Sequence, residues 1–524
     1  MKAGMEVGKM LEQQAIAIDS DDRVCCLNDL LIGLGALTEQ THNCQITGLS
    51  LNSNWINRGS VFLACRGRRQ LGHNYIGAAI DKGAAAIIYD PVAPVPPEFI
   101  DRLQTLNIPY IALPELSTKV STIANRFYLQ PSQRVYVIGV TGTNGKTSVS
   151  HFLAQALHQG ENSCGLMGTL GVGLVEAIIP SDLTTPDAVT VQEQLAAMYD
   201  AGASYAVMEV SSHALDQGRV NSVVFNTAIF TNLSHEHLDY HGDMVSYQTA
   251  KSLLFAQPGL CNAVINCDDA VGRALIVKLP PEITVISYGL ENPQANLRAS
   301  KLHYDRSWVS MNIEGSWGKG ELSCPLLGRF NAYNLLATLG GLIACGMPFT
   351  EALERLCQIQ AVPGRMESMG GWGEPLLVVD YAHTPDALEQ ALHSLRDHLD
   401  PGGRLWCVFG CGGERDPSKR PLMGAVAERL ADFMMLTDDN PRSEDPIKII
   451  IDILSGMKNP DSVYKFRNRS EAIARAVQLA GSKDIVLIAG KGHENYQQIG
   501  IERRPFCDRE QAQQALKQRR GLLY

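Results

Sequence analysis

Apolar residues along this chain follow two periods. From Val135 to Val140 they form a nearly unbroken run rich in β-branched side chains, the mark of a buried strand. A glycine-rich stretch follows, Gly142-Thr143-Asn144-Gly145-Lys146-Thr147. Beyond it the apolar positions are Val149, Phe152, Leu153, Ala156 and Leu157, one face of a helix. The order is strand, glycine loop, helix.

The alternation recurs in both directions. Residues 60–65, 84–89 and 108–113 read as strands, with a helix over 75–82, a proline-rich loop over 91–97 and a helix over 116–128. Further strands are predicted over 203–210, 227–231 and 263–266, and Gly328-Arg329-Phe330-Asn331-Ala332-Tyr333-Asn334 opens an alanine- and leucine-rich helix. In the last third, strands over 376–379, 405–409, 433–436 and 485–489 alternate with helices, one of which carries Leu388, Ala391, Leu392, Leu395 and Leu399. This is the pattern of an α/β protein ending in a doubly wound parallel sheet. Its polar and glycine-rich runs all fall at strand C-termini, where open sheets bind ligands. They are Asp380-Tyr381-Ala382-His383, Gly410-Cys411-Gly412-Gly413-Glu414-Arg415, Asp438-Asp439-Asn440-Pro441-Arg442 and Gly490-Lys491-Gly492-His493-Glu494.

Length and composition set the frame. A chain of 524 residues with 45% hydrophobic content holds about three domains, here 23–114, 115–360 and 361–524 after an extension, 1–22, that is partly helical. The net charge of -10 disfavours a general nucleic-acid or membrane-surface role. Thirteen cysteines, without paired C-x-x-C spacing and with some inside apolar runs (Cys65, Cys407), read as reduced buried thiols. No secretory signal or membrane span is evident, so a soluble cytoplasmic protein is expected.

The glycine loop carries the clearest chemistry. Backbone N–H groups and a helix N-terminus converge on one spot that suits a polyphosphate. Lys146 would reach terminal phosphates, and the Thr147 hydroxyl would ligate Mg2+. Glu209 ends a buried strand, where a second Mg2+ contact is expected in such a domain. His235, His237 and His241 lack zinc-protease spacing, and residue chemistry leaves them between a surface loop and a site. Lys251, in a polar helical stretch, reads as a solvated surface lysine.

Val140 stands where the strict P-loop has its first glycine. The form Thr141 to Thr147 resembles instead that of Mur ligases of peptidoglycan synthesis and their folate-ligase relatives. Further runs are similar to Mur ligases in the same order: Glu209 to His213, His237-Leu238-Asp239-Tyr240-His241-Gly242, Gly364-Arg365-Met366-Glu367, Asp380 to Asp386, Asp439 to Arg442 and Gly490 to Glu494. The resemblance covers roughly residue 45 onward and points to the branch that adds the third peptide residue.

It implies a three-domain architecture: a domain gripping UDP-MurNAc substrate, a central P-loop ATPase, and a C-terminal Rossmann-like domain for the amino acid. It implies ATP-dependent ligation of meso-2,6-diaminopimelate to the D-glutamate γ-carboxylate of UDP-MurNAc-L-Ala-D-Glu through an acyl phosphate. Two Mg2+ ions would be held by Thr147, Glu209, His237 and a carbamylated Lys251 (N6-carboxylysine), with Lys146 as a catalytic cation. Gly142, Thr143, Asn144, Gly145, Lys146, Thr147, Asn331, Arg365, Asp380 and His383 would bind ATP. Leu51, Ser53, Thr184, Thr185, Ser211, Gln217 and Arg219 would bind the UDP-MurNAc dipeptide. Arg415, Asp439, Asn440, Pro441, Arg442, Gly490 and Glu494 would bind diaminopimelate, Arg442 pairing the distal carboxylate that lysine lacks. A monomer without nucleic-acid partners is expected. Departures from the family pattern stand at Asn52, Asn54, Leu71, Leu183 and Glu236, mostly on the acceptor side. Alternatives are a paralogue using another acceptor carboxylate or L-lysine, and a non-catalytic nucleotide-binding protein, which Glu209, His237 and Lys251 disfavour.

Overall fold

The computed structural model describes residues 23–35, 39–67, 71–159 and 163–522; the expected N-terminal extension over 1–22 lies outside the described residues. Two compact units are formed, Met1–Ser287 and Tyr288–Tyr524.

The first unit opens on a parallel four-stranded sheet, β1 (Gly48–Ser50), β2 (Ser60–Ala64), β3 (Ala86–Tyr89) and β4 (Tyr110–Ala112), in sequential order. Helices α1 (Ile76–Asp81), α2 (Pro97–Thr105) and α3 (Leu116–Phe127) connect and follow these strands. The proline-rich stretch is a loop over 91–96, and only its last residue, Pro97, starts α2, taking the first helical turn, where its missing N–H costs nothing.

A second sheet follows, built of β5 (Tyr136–Thr141), β6 (Ser163–Gly168), β7 (Gly171–Leu174), β8 (Ala203–Glu209), β9 (Thr227–Phe230) and β10 (Asn262–Asn266). Its spatial order is β10-β9-β5-β8-β6-β7, parallel except for the β6–β7 hairpin. Helices α4 (Lys146–Leu157), α5 (Ala188–Asp200) and α6 (Met244–Ser252) belong to this layer. The strand order places the C-terminal ends of β5, β8 and β9 side by side, which positions the phosphate loop.

The second unit begins with an antiparallel meander, β11 (Leu297–Asp305), β12 (Trp308–Gly315) and β13 (Gly318–Cys324), followed by helix α7 (Arg329–Ala344). Its main sheet comprises β14 (Glu367–Gly370), β15 (Leu376–Asp380), β16 (Leu405–Phe409), β17 (Phe433–Leu436), β18 (Tyr464–Lys465) and β19 (Ile485–Ala489). The order is β14-β15-β19-β16-β17-β18, with only β14 antiparallel. Alternation along each strand divides the core. Leu376, Val378, Cys407, Phe409 and Leu487 face helices α8 (Pro385–Arg396), α9 (Lys419–Leu430) and α10 (Pro446–Leu454). Leu377, Val379, Trp406, Val408 and Ile488 face α11 (Arg469–Leu479) and α12 (Asp508–Leu522). With both faces covered, the strands are continuously apolar, and only the loops at their ends can carry polar chemistry. One further hairpin, β20 (Tyr496–Ile499) and β21 (Glu502–Pro505), precedes α12.

All thirteen cysteines are free; Cys407 is buried, whereas Cys65 is only partly so. Among the described residues no helix is long and apolar enough to cross a membrane.

A buried histidine ties the second unit together. His398, 3% exposed, accepts a hydrogen bond at Nε2 from the Gly328 N–H (2.9 Å). That leaves its proton on Nδ1, which donates to the Asp305 carbonyl (2.5 Å). Burial holds its pKa below the ordinary histidine value, against the upward pull of the Asp305 carbonyl. The neutral ring therefore stabilises the fold fully above an unfolded-state pKa of about 6.5, and this contribution is lost as pH falls through the lower folded value. Chemical denaturation of His398→Ala is expected to show a loss of about 1–3 kcal/mol at neutral pH, narrowing toward pH 5; a loss independent of pH would refute the assignment.

Candidate active site

In the first unit, β5 delivers the chain to Gly142, whose φ of +145° and lack of a Cβ permit contact with β9; a Cβ there would stand 1.9 Å from Thr231 Oγ1. The loop is laced to the residues after β9. The Thr143 N–H donates to the Asn232 carbonyl (2.8 Å), and the Thr231 hydroxyl donates to the Asn144 carbonyl (2.6 Å). Helix α4 then starts at Lys146, and its first-turn N–H groups are available to an anion. Lys146 Nζ folds back onto the carbonyls of Gly142 and Thr143, both at 2.8 Å.

Glu209, fully buried at the end of β8, accepts from the Thr147 hydroxyl (3.0 Å), the Thr169 N–H (2.8 Å) and the Thr169 hydroxyl (3.1 Å). Gly168 makes room for it, since a Cβ at that position would lie 2.3 Å from Glu209 Oε1.

Lys251 corrects the reading from residue type. It is 2% exposed rather than solvated. Helix α6 turns Tyr247, Ala250 and Lys251 inward, and Lys251 Nζ donates to the Gly142 carbonyl (2.7 Å) while lying 4.7 Å from the Tyr247 ring centre. Burial, reinforced by the Lys146 charge and opposed by Glu236, pushes its pKa well below the ordinary lysine range. His237, in a left-handed conformation (φ 58°) just before a short helix, is lowered by desolvation of its inner face. Glu236 opposes that shift, and Lys146 and Lys251 add to it. His213, which packs edge-on to His237 at 5.0 Å, is pushed down to about 4 by burial and the neighbouring His237, His241 and Arg219.

Five predicted acceptor-side residues join this cluster in one hydrogen-bond chain. Thr184 pairs with Thr169 (3.1 Å), and Thr185 donates to the Glu209 carbonyl (2.8 Å) and accepts from the Ser211 N–H (3.0 Å). Arg219 donates to the Thr185 carbonyl (2.7 Å) and to Gln217 Oε1, and Gln217 donates to the Tyr240 hydroxyl (2.9 Å). Leu51 and Ser53 lie on the turn after β1 and make no hydrogen bond to this chain among the described residues. There Asn52 Oδ1 accepts from the Asn54 N–H (2.9 Å), the capping duty an aspartate would perform.

In the second unit, Asp380 ends β15 and accepts from the N–H groups of Met366 (2.8 Å) and Ala382 (2.9 Å). Burial raises its pKa, against the pull of Arg365 and these N–H groups. The Arg365 guanidinium sits 4.7 Å from the Tyr381 ring centre, and the His383 ring approaches the Tyr381 carbonyl (2.9 Å). Asp380, Arg365 and His383 thus gather around Tyr381. Asn331 stands in the first turn of α7, 3% exposed, donating to the Leu327 carbonyl (2.8 Å) and accepting from Asn334 (2.9 Å).

The loops after β16, β17 and β19 meet at one sheet edge. The Gly413 N–H donates to the Asn440 carbonyl (2.9 Å), Arg442 donates to the Gly413 carbonyl (2.6 Å), and Asn440 Nδ2 donates to Glu494 Oε2 (2.8 Å). Gly412 lies against both arginines: a Cβ there would be 3.0 Å from Arg442 Nη1 and 3.7 Å from Arg415 Cγ. Pro441 is buried, Asp439 is 9% exposed, and Gly490 N–H donates to the Asp380 carbonyl (3.1 Å).

Several residues that contact the predicted site residues escaped the sequence reading. Thr169 was signalled only by the glycine before it. The β20–β21 hairpin, whose Gln498 carbonyl receives the Arg442 N–H (3.1 Å), was signalled by Gly500 between two short polar strands. Lys491 lay inside a recognised run without a role of its own.

Comparison with known proteins agrees along most of the chain. Residues 45–128 match the Mur ligase family catalytic domain, 140–342 the Mur ligase middle domain, and 364–492 the Mur ligase glutamate ligase domain. A UDP-N-acetylmuramoyl-L-alanyl-D-glutamate–2,6-diaminopimelate ligase from Alkalilimnicola ehrlichii is 47% identical over 91% of this chain and 96% of its own length. One from Pseudomonas aeruginosa is 48% identical over 90% of this chain and 95% of its own. A solved structure of a ligase with that name, 33% identical, covers 95% of this chain and all of its own with a TM-score of 0.70. On this agreement of sequence, domain order and fold, the chain belongs to the Mur ligase family.

Proposed function

We propose that the protein uses ATP to join meso-2,6-diaminopimelate to the D-glutamate γ-carboxylate of UDP-MurNAc-L-Ala-D-Glu, acting as a monomer in cytoplasmic peptidoglycan precursor synthesis. The observation that carries the choice of amino acid is the edge of the second unit's sheet. There one residue, Asn440, tethers both Glu494 and the loop that grips Arg442. A cation for a carboxylate and an anion for an ammonium group are thereby offered together, and L-lysine would leave Arg442 without a carboxylate partner, at a cost.

The chemistry follows from the residues. The γ-phosphoryl group moves from ATP to the γ-carboxylate, releasing ADP and leaving an acyl phosphate. The amine of diaminopimelate then adds to the acyl carbon, loses a proton, and phosphate departs as the amide forms. The loop from Gly142 to Thr147, through the N–H groups where α4 begins and the Lys146 side chain, holds the triphosphate, and Asn331, Arg365, Asp380 and His383 bind the rest of the nucleotide. Thr184, Thr185, Ser211, Gln217 and Arg219, with Leu51 and Ser53, hold the acceptor. Arg415, Asp439, Asn440, Pro441, Arg442, Gly490 and Glu494 hold the amino acid.

Two Mg2+ ions, when bound, neutralise the charge of the meeting phosphate and carboxylate. The residues suit a hard cation: the Thr147 hydroxyl and the Glu209 carboxylate stand 3.0 Å apart, and His237 is held toward its neutral form. Among the described residues no three His, Cys, Asp or Glu side chains converge on one point, and an added carboxylate would enlarge the donor set. Lys251 supplies it as a carbamate. Burial and the Lys146 charge favour its neutral amine, and a neutral amine adds CO2 with loss of one proton, giving an anionic carbamate.

Two measurements test this reading. Phosphate release should require ATP, Mg2+, UDP-MurNAc-L-Ala-D-Glu and meso-diaminopimelate together, with kcat/KM for L-lysine at least about 100-fold lower. Arg442→Ala should cost a similar factor with diaminopimelate, and equal turnover with L-lysine would defeat the assignment. Lys251→Ala should lose about 100-fold or more in kcat, with partial recovery in short-chain carboxylic acids; full activity without them would refute the carbamate.

A further inference from the structure

Lys491 is a charged residue of the amino-acid edge to which the proposed chemistry gives no task. It is completely buried. Its Nζ donates to Glu494 Oε2 (2.9 Å) and to Asn440 Oδ1 (3.1 Å), and lies 5.5 Å from the Tyr496 ring centre. Asn440 closes the triangle by donating Nδ2 to the same Glu494 oxygen (2.8 Å), while its Oδ1 also accepts from the Gln498 N–H (2.9 Å). Two donors therefore occupy Oε2. Oε1 has no hydrogen-bond partner among the described residues, and the Glu494 side chain is 20% exposed.

A buried ammonium is costly to dehydrate. A purely structural site could be filled more cheaply by an apolar side chain of the same length. What only a cation provides is an ion pair that fixes the carboxylate through one oxygen, with the other turned over to a ligand. It also orients the Asn440 amide, because Oδ1 must face Nζ and Nδ2 must face Glu494.

We propose that Lys491 is a positioning residue for amino-acid selection: it clamps Glu494 Oε2 and Asn440 so that Glu494 Oε1 is presented to the ammonium group of the incoming amino acid. The inference rests on the amino-acid site assigned above. Lys491 itself does not touch the substrate. Its removal should weaken capture of the amino acid while leaving earlier steps of the reaction intact.

The test uses the full-length enzyme, Lys491→Met, and Lys491→Gln, which keeps a donor but not the charge. Wild-type turnover of meso-diaminopimelate is measured first; its absence would overturn the underlying assignment and not the clamp. Given turnover, Lys491→Met should raise KM for diaminopimelate at least tenfold. KM for ATP and for the UDP-MurNAc dipeptide should stay within twofold, as should ADP–ATP exchange driven by the dipeptide alone. Lys491→Gln should fall between. In the double variant with Glu494→Gln, Lys491→Met should add little further loss. A uniform rise in all three KM values, an unchanged KM for diaminopimelate, full additivity in the double variant, or loss of fold in both single variants would each overturn the proposal and leave Lys491 a structural residue.

Discussion

Two lysine side chains donate to one carbonyl oxygen, that of Gly142, and much of the first unit is arranged to make this possible. Bonds of 2.8 and 2.7 Å to one oxygen keep the two nitrogens within 5.5 Å of each other, where two ammonium ions repel by about 3 kcal/mol or more even at an effective dielectric constant near 20. Lys146 remains reachable from solvent, while Lys251 is sealed under α6 and Tyr247. Burial and this repulsion together favour the neutral amine of Lys251, the form that is nucleophilic. The same crowding acts on His237. Both groups are thus biased against their charged forms before any substrate arrives.

The second unit meets a different constraint. Its parallel strands are apolar on both faces, so function is confined to loops, and loops need anchors. One anchor is the fully buried pair of Arg469 and Asp508, joined at 2.7 and 2.6 Å, with Arg469 also donating to the Ala489 carbonyl at the end of β19. It locks the first turns of α11 and α12 to the strand that leads into Gly490. Another is Arg420, 1% exposed, which binds Glu444 (2.8 Å) and Asp452 (2.9 Å) beneath the loop that carries Arg415. Such pairs add little net stability over apolar packing; what they secure is loop position.

Much of this was legible in the residues. Continuous apolar runs ending in polar, glycine-bearing motifs are hard to mistake, so β5, β8, β15, β16, β17 and β19 and the loops after them were placed within a residue or two. The failures share a cause. Lys251 is buried by a partner more than a hundred positions away, and its own helix is too short and too polar to announce an inner face. Thr169 matters only because β6 happens to lie beside β8. The β20–β21 hairpin is made of polar residues that pair with loops rather than with a core. In each case the deciding contact is tertiary and polar, and hydrophobic period carries no record of it.

The loop around Arg442 is fixed almost wholly by its main chain. The Arg442 N–H donates to the Gln498 carbonyl, and its carbonyl accepts from the Gly500 N–H (2.7 Å). These bonds hold the residue at φ 52°, a conformation in which a side chain is tolerated rather than required. The hairpin therefore behaves as a socket. Its main-chain bonds make no use of the side chain at position 442, so that side chain can be exchanged without removing the bonds that present it.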